Sequence, residues 1–178
     1  PFMRGTCLLV ALCLLPAPTL SRPAPPRECE ALPLPASSEV REYLETRPYR
    51  SGLTDLVQGR EAEALRSLEA AWQQVRRWLQ PFTDRTCRDQ ALREALRQVV
   101  FTTPPLAIPG EDRFRPPPLI TRAIGTLRCR AGDLPGAALW LLEHGDPTDM
   151  TLRAVTRSWL EAAGFPEAAR ALSGEPGR

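Results

Sequence analysis

The one histidine of this 178-residue chain, His144, lies in the run Glu143-His144-Gly145-Asp146, with Asp149 just beyond. These side chains come nearest to a metal or acid–base site. Their spacing matches no recognised ligand set, and an imidazole at a helix end is already favoured by the helix dipole. The sequence holds no nucleophile elbow, no phosphate-binding glycine-rich loop, and no second histidine to activate a serine or cysteine. Glycan hydrolysis by paired carboxylates needs only two acids facing a cleft. Glu161 and Glu167 flank a turn, but solvated surface acids are by far the preferred account of them. No cofactor and no metal is therefore expected.

Cysteine chemistry depends on the compartment. Met3 and Arg4 precede an apolar stretch from Cys7 to Leu15 that Pro16 ends. It is shorter than the roughly 20 residues a membrane span needs, and it suits a signal-peptide core. Thr19-Leu20-Ser21 offers a cleavage point and Ala17 a competing one, so residues 1–21 are read as a signal and the mature chain is expected to begin near Arg22. Lipidation at Cys13 is the weaker alternative, because Leu12 is bulky just before it. Export places the chain in a periplasm or outside the cell, where disulfides form. Cys29, Cys87 and Cys129 remain, none in a CxxC spacing. One disulfide with one thiol left over is the expectation, either a helix-to-helix bridge or a staple from leader to body, and buried free thiols are the alternative.

All 23 basic residues are Arg, with neither Lys nor Asn anywhere, which reflects GC-rich coding DNA more than function. With 21 interleaved acids the net charge is only +2. Such a balance makes no strong field for nucleic acid, and Arg76-Arg77 and Arg128/Arg130 read as solvated helix faces. The chain beyond the signal suffices for one domain with a real core.

Helices must position whatever site exists. Residues 22–36 hold five prolines and little periodicity, so they read as an extended leader or linker. Ser37 and Ser38 offer caps for a short helix to about Thr46. A helix over 51–58 and a long one from Arg60 to Leu79 follow, the latter with Leu65, Leu68, Trp72, Val75 and Leu79 on one face and Pro81 closing it. A further helix is expected over 83–101, with Leu92, Ala95, Leu96 and Val99 on its apolar side. The proline-rich stretch from Thr102 to Pro118 is a loop or crossover. Helices resume at 119–131 (Ile120, Ile124, Leu127, Ala131) and 134–144 (Leu139, Trp140, Leu142). The next should start with Asp146 as N-cap and Pro147 in the first turn, burying Leu152, Val155, Trp159 and Ala163. A last helix, Pro166 to Leu172, precedes a loose tail at 174–178.

A frame of small residues recurs through these helices. It comprises Gly52, Gly59 and Ala64, then Gly125, Gly132 and Ala137, then Gly164 and Ala169, with Arg157 where the third copy should carry a small side chain. The frame resembles the tetratricopeptide repeat, in which small residues let two antiparallel helices approach closely. Ala71 fits that family's later small position, and Arg-Ala-Gly-Asp-Leu-Pro-Gly-Ala-Ala reads like its inter-helix turn. Gly132 and Gly164 are separated by close to the family's period of about 34 residues. Gly59 and Gly132 are about twice as far apart and must enclose an irregular unit around Cys87 to Phe101, and the family's aromatic positions in the first helix are mostly missing. The resemblance implies an all-α fold over 37–173, with antiparallel hairpins stacked as a short array and a plain helical bundle as the alternative.

The resemblance also implies a non-catalytic protein-binding or scaffolding module, here of an envelope or secretion assembly, holding a protein or peptide on the face made by the first helix of each pair. Helix phase nominates Asp55, Gln58, Arg122 and Arg128 as contacts. The competing reading is a small secreted all-helical enzyme or effector acting on an envelope polymer. A groove lined by two close carboxylates would favour the enzyme, and one lined by Arg, Gln and apolar side chains would favour peptide capture. A four-helix signalling protein fits poorly with the short helices after residue 118. The 102–118 stretch, with Phe114, Arg115 and three consecutive prolines, could dock a partner in polyproline form, but a passive crossover is preferred.

Overall fold

The computed structural model describes residues 26–44, 49–83 and 116–173, the side chains of 78–83 excepted. The signal at 1–21, the side chain of Leu79, residues 84–101 of the helix expected over 83–101 with Cys87, the loop at 102–115 and the tail at 174–178 lie outside the described residues. Within them the chain is all-α. A 3-10 helix at Arg27–Ala31 is followed by α1 (Ser37–Arg41), α2 (Arg50–Val57), α3 (Glu61–Thr83), α4 (Pro118–Arg130), α5 (Leu134–His144), α6 (Met150–Ala162) and α7 (Pro166–Leu172). From α1 onward each helix packs against the next, which makes a linear array of three hairpins: α2–α3, α4–α5 and α6–α7.

All three hairpins turn in the same way. The described residues with positive φ are Gly59 (73°), Gly132 (89°) and Gly164 (87°), the glycines of the recurring frame. Each ends a helix in a left-handed conformation that a side chain would strain. In the second hairpin Gly132 N–H donates to the Cys129 carbonyl at 2.9 Å and Asp133 N–H to the Arg128 carbonyl at 3.0 Å. Equivalent pairs close the other two turns, from Gly59 to Leu56 and Arg60 to Asp55, and from Gly164 to Glu161 and Phe165 to Leu160. This is the Schellman pattern, which satisfies carbonyls that a helix end leaves open. Five residues after each glycine the frame alanine, Ala64, Ala137 or Ala169, is fully buried against the preceding helix.

Three boundaries depart from expectation, the first being that α1 ends at Arg41. The sixth helix is capped by Asp149, whose carboxylate accepts from Thr151 and Leu152 N–H at 2.9 and 3.1 Å. Asp146 instead closes a tight turn, accepting from Thr148 N–H at 2.8 Å and from its hydroxyl at 2.7 Å, so the helix starts later than its proline suggests. α3 likewise runs two residues past Pro81, which lacks the N–H for one bond of the last turn.

The core runs through the array. Leu53, Leu68, Trp72 and Val75 fill the first hairpin, Ile120, Ile124, Leu127 and Trp140 the second, and Leu152, Val155, Trp159 and Leu160 the third. Ion pairs tie the first hairpin to the second, Glu69 to Arg128 at 2.6 Å and Glu61 to Arg130 at 2.7 Å. Each is more than a quarter exposed, so these pairs set register more than they add stability.

Candidate functional site

α4 carries one stripe at helical spacing, Arg122, Thr126 and Cys129, and the proline-rich leader lies along it. Cys29 and Cys129 form a disulfide with Cα atoms 5.6 Å apart. The staple from leader to body is thus the pairing present. The Thr126 hydroxyl donates to the Leu32 carbonyl at 2.8 Å. Arg122 Nη2 meets Glu39 Oε1 at 2.6 Å, and the same carboxylate accepts from Ala36 N–H at 2.6 Å to cap α1. Arg122 first, and the Ala36 amide second, hold the Glu39 carboxyl below the usual carboxylate range. From the third hairpin the Trp159 indole N–H donates to the Glu28 carbonyl at 3.0 Å.

These contacts fix a direction. As the leader runs from Cys29 through Leu32 to Glu39, its partners on α4 run backwards from Cys129 through Thr126 to Arg122. The leader therefore lies antiparallel to α4, along the first helices of the second and third hairpins. Its buried residues are Cys29, Leu32 and Pro35, every third one. That is the period of 3-10 and polyproline backbones, and the flanking residues Pro26 (φ −53°, ψ 147°) and Ala36 (φ −68°, ψ 153°) are extended in this way. Residues 26–36, expected as an extended linker without an element, are thus a packed strap that includes a 3-10 helix.

The groove reads backbone more than side chains. Two neutral donors, an indole and a hydroxyl, each take a leader carbonyl, so neither depends on the leader's side-chain identity. Leu32 is 4 % exposed and Cys29 1 %, and their burial supplies the apolar part of the fit. Thr126 was not singled out in the sequence. A threonine inside the apolar run from Ala123 to Leu127, fully buried in the structure, is the signal that could have found it.

The four nominated contacts do not converge. Arg122 faces the leader, whereas Arg128 points away to Glu69, donates to the Gly136 carbonyl at 3.2 Å, and lies 5.2 Å from the centroid of the Trp140 ring. Six residues on a helix turn the side chain by about 240°, so helix phase separates the two arginines. Asp55, nearly buried on α2, accepts from Arg60 Nε at 3.0 Å. Gln58 is exposed at the end of α2.

The other nominated chemistry lies elsewhere. His144 is buried between two indoles, with ring centroids 4.1 Å from Trp140 and 5.3 Å from Trp72, and Glu143 Oε2 is 3.6 Å from its Nε2. Because Trp72 belongs to α3, this stack joins the first hairpin to the second. Glu161 and Glu167 are exposed and face Arg157 and Arg170 on their own helices at 3.8 and 4.0 Å. A cavity of about 310 Å³ opens between α5, α6 and α7. Arg153 lines it and donates from Nη2 to the Leu172 carbonyl at 2.6 Å.

The fold and this groove define a class: an all-α array of helical hairpins with an extended segment strapped along its first helices. No family model matches the chain, and no curated protein and no solved structure matches it either.

Proposed function

We propose that this chain is an exported, non-catalytic binding module that holds extended polypeptide along the first helices of its hairpins, as its resemblance to tetratricopeptide proteins implies. Its place in that reading is a scaffold of an envelope or secretion assembly. One observation carries it: the α4–α6 groove already holds such a segment, seated by two carbonyl hydrogen bonds and by burial of every third residue. The groove is lined by Arg122, Thr126 and Trp159, the kind of lining that suits peptide capture more than glycan hydrolysis.

The test uses the full chain with its own leader disabled by Cys29→Ser and Leu32→Asp, titrated with a fluorescent peptide of residues 26–36. Circular dichroism first establishes that the helices persist. Saturable binding is expected, and Trp159→Phe or Thr126→Val should each weaken it about fivefold, the worth of one hydrogen bond of roughly 1 kcal/mol. A helical chain that leaves the peptide unbound refutes the reading.

A further inference from the structure

The disulfide, the two carbonyl hydrogen bonds and the ion pair that seat the leader all join residues 28–39 to helices from Pro118 onward. Each receiving group has its counterpart on the leader. Cys129 meets Cys29, Thr126 and Trp159 meet carbonyls, and Arg122 meets Glu39. Every copy of the chain carries both halves of this match. The groove also has a chemical mark, a fully buried cysteine in its stripe, which an occupant without a cysteine would leave as an unused thiol. A second copy supplies that cysteine at the right register.

We propose that the α4–α6 groove also takes the leader of a second copy of this chain, so that copies join by leader exchange and a Cys29–Cys129 disulfide closes between them. The proposal rests on the reading of this groove as the binding face. Exchange preserves each of these four contacts between leader and groove and trades the packing of α1 on its own α2 for the same packing between copies. The tether favours a chain's own leader through its effective concentration, so exchange gains as copies are crowded together. Once closed, the bridge records which leader was seated. Closure is a two-electron oxidation in which the Cys29 and Cys129 thiols lose their protons and two electrons to a disulfide oxidant. That oxidant is cleaved to two thiols, and one sulfur–sulfur bond replaces another.

Two full-length variants test this directly. Cys29→Ser keeps the acceptor cysteine and Cys129→Ser keeps the donor, so neither can close the bridge alone. They are mixed in the reduced state, oxidised with oxidised glutathione, and examined on non-reducing gels with peptide mass mapping. The expected product is a covalent heterodimer linked from Cys29 to Cys129, absent from either variant alone and increasing with protein concentration. Adding Leu32→Asp to the donor should abolish it, and adding Leu32→Asp to the acceptor, which empties its groove, should increase it. Wild-type chain refolded from the reduced state should likewise show more 29–129-linked dimer at higher concentration, which removes any dependence on how the variants fold. Absence of the heterodimer and of concentration dependence in the wild type overturns the proposal, as do dimers joined only through Cys87. If the labelled peptide still binds in that case, exchange alone has failed and the binding module stands. If the peptide also fails on a folded chain, the groove reading itself has failed.

Discussion

In the first hairpin a Cβ added to Gly52 would lie 2.6 Å from Leu68 Cγ and 3.0 Å from the Leu68 backbone nitrogen, so the two helices touch through the glycine. In the second, Gly125 allows the same approach more loosely, with Leu141 Cδ2 at 3.0 Å. In the third the corresponding residue is Arg157, half exposed, and its Nη1 donates to Ser173 Oγ at 3.4 Å where the other hairpins place leucine. Yet all three turns close with the same hydrogen bonds and the same left-handed glycine. The turn and the approach of the helices are therefore separate devices. The glycine at the turn sets the reversal, and the small residue two helical turns before it on the same helix sets how closely the partners pack.

Valine at the approach position should show the largest difference between hairpins. Gly52→Val forces a branched side chain against both the Leu68 side chain and its backbone, and should destabilise the chain by about 3 kcal/mol. Gly125→Val meets the Leu141 side chain and, at 3.6 Å, Trp140 Cδ1, with no backbone in the way, and should cost about 1–2 kcal/mol. Arg157→Val should stay within about 0.5 kcal/mol, as surface substitutions do. Urea denaturation of the three variants measures the order, and equal losses at positions 52 and 157 would end the distinction.

At the turns the hairpins should instead behave alike. Gly132 and Gly164 have no heavy atom within 4 Å of an added Cβ, so alanine there meets backbone strain alone. Gly132→Ala and Gly164→Ala should each cost about 1–2 kcal/mol, the penalty of the left-handed region for an L-residue. A difference between them well above 1 kcal/mol in the same denaturation experiment would show that the turns are not equivalent.

This separation also explains what could be read from the sequence. The turn glycines and frame alanines were legible because each performs a local task with a fixed residue requirement. The apolar stripes of α3, α4 and α6 were legible from their helical spacing. The strap was not, because its period is three and its buried positions are a cysteine, a leucine and a proline, which make no amphipathic pattern. The choice of Cys129 as partner of Cys29 depends on where the leader folds back, a contact across the whole body. Arg122 was nominated as a contact from helix phase alone, and its partner Glu39 lies far away in the sequence. Arg128 was grouped with it although a helix turns the two apart.

The two ends of the strap are also held by different means, and pH should tell them apart. Trp159 takes the Glu28 carbonyl through a neutral donor, whereas Arg122 holds Glu39 by charge. The Glu39 carboxyl titrates lower in the folded chain than in the unfolded one, chiefly through Arg122. Its stabilisation is therefore present in full above the ordinary carboxylate range and is lost as pH falls through the lowered folded-state value. Acid should loosen α1 from α4 while the 3-10 helix stays in place, held by Trp159 and by the Cys29–Cys129 disulfide. Hydrogen exchange read by mass spectrometry should then show, after correction for the intrinsic pH dependence of exchange, lost protection at residues 37–41 ahead of residues 27–31. Glu39→Gln should reproduce that loss at neutral pH, and the effect will be small because both partners are substantially exposed and screened by salt. Simultaneous loss at both ends would mean that the strap is held as one unit, and that the difference between hairpins stops at their own helices.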